Sequence, residues 1–407
     1  MTGKAIRFPG FTTIFSGLFL LLPPLLIVMP KAAVPLVLLC SATAVVRIGL
    51  ERRRPALPDR LILALLSALF LWAAVSCFWA TDPSGSLFRL LRVVAMVLAG
   101  LILIGESLSL GREEREVVAR WIVAGFFLGF ALLVAERFSG AYLHYSFGYQ
   151  HPDRAVFSGL NRAATSFAIL VWPVTLLVAR TRAGRWAYLL PAVVLAALLT
   201  LVSHAAILGF AAGLVVAVMS LRVRQVVQWL LILAPLVVLL GTPPAVGLLK
   251  DQDLYGQGLI KHSGAHRLYL WSFYAERIEE RPLLGWGFNG SRQFREQEIE
   301  PTASERFRVV SHPHNALVQI RMELGVVGSA VAVALLILLV RRAERLPRAT
   351  RAVAQAVFAS SFTVASLSYG IWQSQWLATL LAVALLVLLS QASEPGRERG
   401  GGSPEPP

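Results

Sequence analysis

The sequence predicts an all-α, polytopic integral membrane protein, and three observations predict it. Of 407 residues, 56% are hydrophobic and 15% charged, with a mean hydropathy of +0.66, whereas a soluble domain carries about 25% charged residues. The apolar residues gather in runs of spanning length, about 17 to 25 residues each. The basic residues form short clusters at every second connection between those runs. The net charge of +15 therefore carries the positive-inside signature of a membrane protein. No nucleic-acid-binding motif accompanies it.

Taken in order, spans are expected near 11–29, 32–50, 60–80, 88–105, 118–137, 160–179, 186–202, 204–220, 225–242, 317–340, 351–369 and 373–390, about twelve in all. The first has no small-residue cleavage site behind it and reads as a span, not a signal peptide. Pro23, Pro24 and Pro173 fall inside spans, where neighbouring helices tolerate a kink. The stretch 186–220 divides at Ser203-His204, because Arg222 and Arg224 then share a side with Arg180–Arg185. Uncut, it would leave eleven spans and put the termini on opposite sides.

The chain then reads as nine spans over 1–242, a large outward loop over 243–316, three spans over 317–391 and a polar tail over 392–407. The tail, rich in Gly and Pro, is expected to be disordered. Both termini are expected in the cytoplasm. Cys40 and Cys77 lie within apolar runs, so neither a disulfide framework nor a thiolate metal site is expected.

The long loop is where a membrane-like sequence turns polar. Between Lys250 and Asn315 it holds nine Lys/Arg and nine Asp/Glu, and four of the chain's seven histidines: His262, His266, His312 and His314. Arg267–Glu280 has helical spacing, with Leu270, Phe273, Tyr274 and Ile278 on one face, and is expected to lie along the membrane surface. Pro282, Gly285 and Gly287 end it. Gly290–Arg308 reads as a charged, partly helical excursion.

Several side chains here are chemically competent. His314 stands where the loop becomes a membrane helix; an imidazole titrates near 6.5 and can take a proton from a hydroxyl. The alternative is a histidine bonded to a loop carbonyl. Arg89 and Arg92, three apart, share a face at the outer end of the fourth span, and Arg154 and Arg162 flank the sixth. Arg267 opens the amphipathic segment. Arginine suits phosphate because its planar fork donates two parallel bonds, and outer-side cations run against the topological bias. Snorkelling or structural pairing is the alternative for each. Arg321 and Glu323 read as ionisable groups inside the tenth span. A metal reading of the histidines is weak, for no firm ligand spacing is present, and no metal or other cofactor is expected.

Three motifs in this order resemble the bacterial O-antigen ligases, within the ligase/polymerase superfamily of polytopic glycan transferases. They are Ser263-Gly264-Ala265-His266-Arg267-Leu268-Tyr269-Leu270-Trp271 (family SG-x-R-x-x-x-W), Pro282-Leu283-Leu284-Gly285-Trp286-Gly287 (P-L-x-G-x-G) and His314-Asn315-Ala316-Leu317 with Glu323-Leu324-Gly325. The resemblance implies an inner-membrane enzyme of lipopolysaccharide biosynthesis with a periplasmic active site. It would move O-antigen glycan from undecaprenyl diphosphate to a lipid A–core hydroxyl, independently of metal. His314 would be the catalytic base, with His312 expected to matter less. Arg267, the arginine after the SG pair, would be the family's substrate arginine; beside it, Arg89, Arg92, Arg154, Asn315 and Arg321 are this chain's own candidate substrate contacts. The superfamily often has Ser-Arg-Gly at the outer end of the seventh span, where this chain has Ser203-His204-Ala205; if that position binds diphosphate, a protonated His204 or another arginine would take the arginine's place. An O-antigen polymerase and a protein O-oligosaccharyltransferase would share the donor. A transporter would instead show midplane charges in several helices and repeat symmetry.

The alternation of basic connections makes a direct prediction. Cysteine labels within 293–308 should be accessible from the periplasm and fusions after Arg397 should report the cytoplasm. Termini on opposite sides would overturn the twelve-span reading, with the error at Ser203-His204.

Overall fold

The computed structural model describes residues 10–56, 59–147, 160–250, 252, 254, 257–295, 297–302 and 305–391. Arg154 and the tail at 392–407 lie outside them. The α-helices are α1 (Phe11–Val28), α2 (Ala33–Leu50), α3 (Arg60–Ser76), α4 (Pro83–Ser109), α5 (Arg112–Phe138), the short α6 (Tyr142–Ser146), α7 (Asn161–Ala179), α8 (Leu190–Leu199), α9 (His204–Ser220), α10 (Arg224–Lys250), α11 (His262–Glu280), α12 (Ala316–Ala343), α13 (Arg348–Leu367) and α14 (Ser374–Gln391). Every apolar run read from the sequence falls on a helix.

Among the described residues, eight helices are long and apolar enough to cross a membrane: Phe11–Val28, Pro30–Leu50, Arg60–Trp79, Pro83–Ser109, Arg112–Phe138, Asn161–Ala179, Arg224–Leu249 and Ala316–Ala343. The protein is thus a helical, multi-pass membrane protein. A count of twelve would need α13 and the shorter apolar helices Gly184–Leu199, His204–Ser220 and Ser374–Ser390 to cross as well. The chain does break at Ser203, whose side chain accepts from the Ala206 N–H and starts α9 as a new helix.

At the centre stands α7, buried almost all round from Ala163 to Leu177, as expected of a helix that is hydrophobic on every face. It packs against α1, α5, α9, α13 and α14. Trp172 on α7 spends its indole N–H on Ser360 of α13, 2.9 Å away, so the buried donor is satisfied. Charged connections tie one end of the bundle: Arg53 pairs with Glu106, Asp59 with Arg342, and Arg224 with Glu344 at 2.5 Å. The polar loop sits at the opposite end, against the ends of α3 and α4 and the α13–α14 connection.

Two loop elements differ from the sequence reading. The apolar face of α11 is not left for lipid: Leu270, Tyr274 and Ile278 are buried with Phe294, Val309, Val318 and Met322, and Phe273 packs partly buried beside them. The excursion after Gly290 forms one short 3-10 turn (Gly290–Phe294) and then two antiparallel strands, β1 (Glu298–Thr302) and β2 (Glu305–Arg308). Pro301 cannot donate within a helix interior, and the segment turns back on itself. In addition, α10 continues through Pro243-Pro244 to Lys250, beyond the loop start expected at 243.

The feature that positions everything else is a break in α12. Gly325 has φ 64° and ψ −159°, so Ala316–Leu324 is a half-helix and Val326–Ala343 a second one. The 18 residues after the break extend about 27 Å, close to the hydrocarbon thickness. Arg321 and Glu323 precede the break and are not required to sit at membrane depth.

Carbonyls freed at the break find donors in the Pro282–Gly287 turn and in α3. Trp286 N–H donates to Met322 O and Gly287 N–H to Glu323 O, both at 2.9 Å, and Trp72 donates its indole N–H to Leu324 O at 2.9 Å. In return Val326 N–H reaches Pro282 O and Leu283 O. The backbones lie so close that a Cβ on Gly325 would meet Leu283 O at 2.0 Å, and one on Gly285 would meet Glu323 O at 2.5 Å; both glycines also have positive φ.

Gly325→Ala should therefore cost on the order of 2 kcal/mol or more, since left-handed strain and a backbone clash add. Thermal unfolding of the detergent-purified variant should show a lowered midpoint. An unchanged midpoint would mean that the break does not depend on glycine.

Candidate active site

The segment His312-Pro313-His314-Asn315 is pinned from three directions. Asn315 is the N-cap of α12: its side-chain oxygen accepts from Leu317 N at 3.1 Å and Val318 N at 3.2 Å. From α11, Trp271 donates its indole N–H to Pro313 O at 2.8 Å, and the Tyr274 hydroxyl reaches Val310 O and Ser291 O. From the α13–α14 connection, Ser368 O accepts from His314 Nδ1 at 2.8 Å. That bond fixes the His314 tautomer with its proton on Nδ1, leaving the Nε2 lone pair free. Burial, with the nearby charges of Arg267 and His266, pushes the His314 imidazole down to about 4. It is therefore neutral, hence able to accept a proton, at neutral pH.

The two imidazoles touch, with ring centres 4.4 Å apart and an edge-to-face tilt. His312, half-buried, is pushed down to about 3 by burial and by the charges of His314, Arg292 and Arg162. Of the pair it is His312 that lines the adjoining cleft of about 490 Å³.

That cleft is walled by four cations from three parts of the chain: Lys31 before α2, Arg89 and Arg92 on α4, and Arg292 in the turn after α11. None of the four has a carboxylate partner among the described residues; Arg92 stacks over Phe88 at 5.9 Å. Burial and the like charge of Arg89 hold Arg292 below its ordinary value. Glu323, behind the cleft, acts on Arg292 in the opposite sense without bonding to it; like charges crowded without a bonded counter-ion cost free energy, and an anion in the cleft would relieve it.

Behind the cleft floor lies Glu323, fully buried. One oxygen accepts from Ser291 Oγ at 2.6 Å and Gln319 Nε2 at 2.9 Å; the other accepts from Trp372 Nε1 at 2.7 Å and Asn289 N at 2.9 Å. Gln319 passes the connection on, for its Oε1 accepts from Ile371 N at 3.0 Å. One carboxylate thereby fixes residues from the loop, α12 and the α13–α14 connection.

The remaining expected residues are distributed unevenly. Arg89 and Arg92 are in the cleft. Arg267 lies beside His314, yet its Nε donates to Leu367 O at 2.8 Å and its Nη1 to Ser263 O at 3.1 Å, so it holds the end of α13 as well. Arg321 is turned to Pro282 O, 2.7 Å away, and His204 is exposed at the start of α9; neither lines the cleft. Asn315 spends its side-chain oxygen on the helix cap. Among the described residues no group of three or more His, Cys, Asp or Glu is arranged to hold a metal ion.

Lys31, Arg292, Glu323 as a hub, Trp372 and Gln373 were not singled out as site residues from the sequence. Lys31 carried a usable signal: it is the basic residue in the otherwise outward-facing connection Pro30-Lys31, the same criterion that selects Arg89 and Arg92.

Comparison with known proteins bears on the same region. Residues 155–333, which contain the whole loop and the broken half of α12, match the family model described as O-Antigen ligase. A Rickettsia bellii protein named "Putative polysaccharide ligase" is 28% identical over 325 residues, covering 78% of each chain. A Rickettsia felis protein of the same name is 25% identical over 325 residues, again 78% of each. Together these matches support the O-antigen ligase superfamily for this chain.

The Glu323 network predicts a graded response. Glu323→Ala strands four donors, each worth about 1–3 kcal/mol when buried and unpaired, and should abolish the folded protein. Glu323→Gln keeps the shape but opposes an amide N–H₂ to donors, and should lower the thermal midpoint while leaving the fold. Equal, wild-type midpoints for both would remove Glu323 from its organising role.

Proposed function

We propose that this protein, alongside its O-antigen ligase superfamily relatives, transfers a glycan from undecaprenyl diphosphate to a sugar hydroxyl of lipid A–core, on the periplasmic face of the inner membrane. One observation carries the reading: four cations, none bonded to a carboxylate among the described residues, line a cleft that adjoins a histidine whose Nε2 lone pair is left open. A diphosphate supplies the missing anion, and a hydroxyl supplies the proton that the imidazole can take.

The reaction follows from those parts. His314 Nε2 takes the proton of the acceptor hydroxyl while its oxygen bonds to the donor's anomeric carbon. The anomeric carbon–oxygen bond to the diphosphate breaks on the opposite face, so configuration inverts, and the departing undecaprenyl diphosphate keeps the electron pair. Lys31, Arg89, Arg92 and Arg292 stabilise the charge that develops on it, with Arg267 contributing from beside the base. No acid is needed for such a leaving group. The energy is held in the donor's phosphate ester, so no nucleotide site is required.

The test is transfer by the detergent-purified full chain, from undecaprenyl-diphosphate glycan to lipid A–core, with and without EDTA. Activity should survive the chelator. His314→Ala should slow transfer on the order of 100-fold or more while donor binding persists. Arg267→Ala should weaken binding and slow transfer together, with only partial rescue by lysine. Acceptance of a second undecaprenyl-linked glycan in place of lipid A–core would turn the reading to a polymerase. Acceptance of a Ser/Thr peptide would turn it to a protein O-oligosaccharyltransferase.

A further inference from the structure

His314 has φ 53°, in the left-handed region that a non-glycine residue enters only when its surroundings hold it there. Two bonds do so. Its side chain is held by Ser368 O, and its own backbone N–H donates to His312 Nδ1 at 3.1 Å. The other nitrogen of His312, Nε2, lies 2.8 Å from the Gln373 side-chain amide. A neutral imidazole has one donor and one acceptor. Since Nδ1 accepts, the proton of His312 sits on Nε2; the atom placed opposite it is Gln373 Nε2, and turning that amide over, an assignment of N and O that the bonding network decides, presents its oxygen as the acceptor. Both nitrogens of His312 are thus engaged, whereas His314 keeps a free one. Gly370 packs flush on this ring, since a Cβ there would come within 2.8 Å of it.

We infer that His312 is a positioning residue: fixed as the Nε2–H tautomer by Gln373, it accepts the His314 backbone N–H and so holds the base in its left-handed turn. This rests on the reading of His314 as the base. It departs from the expectation that His312 matters less because it does not directly precede the asparagine. The charged groups around the pair, Arg162 and Arg292 towards His312 and Arg267 and His266 towards His314, favour a neutral ring at both positions. A neutral ring is what the arrangement of donors and acceptors requires.

Three substitutions separate positioning from simple space-filling. In His312→Asn the side-chain oxygen takes the place of Nδ1 and can still accept from His314 N–H. His312→Gln reaches the Nε2 position but offers no acceptor at Nδ1, and His312→Ala offers neither. In the transfer assay, Ala and Gln should lower kcat roughly 10- to 100-fold with KM for the lipid-linked donor nearly unchanged, and Asn should stay within about fivefold of wild type.

An activity-independent readout runs in parallel: carbethoxylation of His314 by diethyl pyrocarbonate against pH, read by mass spectrometry. The midpoint should stay low in wild type and in the Asn variant. It should climb towards the ordinary histidine range in the Ala variant, as the opened turn admits water. Asn behaving like Ala in both measurements would overturn the inference, as would Ala behaving like wild type. A chain that transfers no glycan in any form would sink the proposed function, while the carbethoxylation profiles would still decide the role of His312.

Discussion

An α-helix that stops inside a bundle leaves carbonyls without partners, and where water is excluded each must be given a donor. The break of α12 at Gly325 is such a stop, and the site depends on how it is closed. Met322, Glu323 and Leu324 carbonyls receive N–H groups from Trp286, Gly287 and Trp72. Because two of those donors are backbone groups of the Pro282–Gly287 turn, that turn must lie against α12 at backbone-contact distance. It follows that Asn289 and Ser291, a few residues on, arrive beside the Glu323 carboxylate, and that Arg292 arrives in the cleft.

The same closure explains why an uncompensated carboxylate can be buried here. Glu323 has no cation bonded to it, but four donors satisfy its oxygens, and hydrogen bonding to the charged form offsets part of the desolvation that holds its carboxyl above the usual range. Its charge also faces Arg292 through the cleft floor. The cations in front are therefore partly balanced from behind, without any of them being tied into an ion pair. They remain free to bond an incoming anion, which a direct salt bridge would have prevented.

What the sequence disclosed and what it hid divide along physical lines. Local signals were readable: apolar runs located the helices, Ser203-His204 marked a helix start, and Arg89 and Arg92 stood out against the charge bias; Asn315, read as a substrate contact, proves to be an N-cap. Relations that exist only after folding were not readable. The cleft joins Lys31, Arg89, Arg292 and Gln373 from widely separated segments, and no periodicity links them. The aromatic face of α11 resembled a membrane-surface helix because lipid and protein cores select the same residues; only tertiary structure shows Tyr274 and Leu270 against α12. Arg321 read as an ionisable group inside a span and a substrate contact, but its guanidinium reaches back to Pro282. Pro301 is the local signal against a helix beyond Gly290, where the chain forms strands instead.

The state of His314 follows from the same balance of charge. Its ring is desolvated and lies beside the Arg267 cation, which pushes the imidazole down to about 4 and leaves it a weak base at neutral pH. General-base efficiency is greatest when the pKa lies near the working pH. In the proposed reaction a diphosphate brings negative charge into the cleft beside the imidazole pair, which favours the protonated ring and moves its pKa upward. The donor would then strengthen the base that acts on the acceptor, and the cations that bind the donor would be the ones that stabilise its departure. A site built this way needs no group of intrinsically high basicity. It needs a neutral imidazole held still, with its free nitrogen open, until the anion arrives.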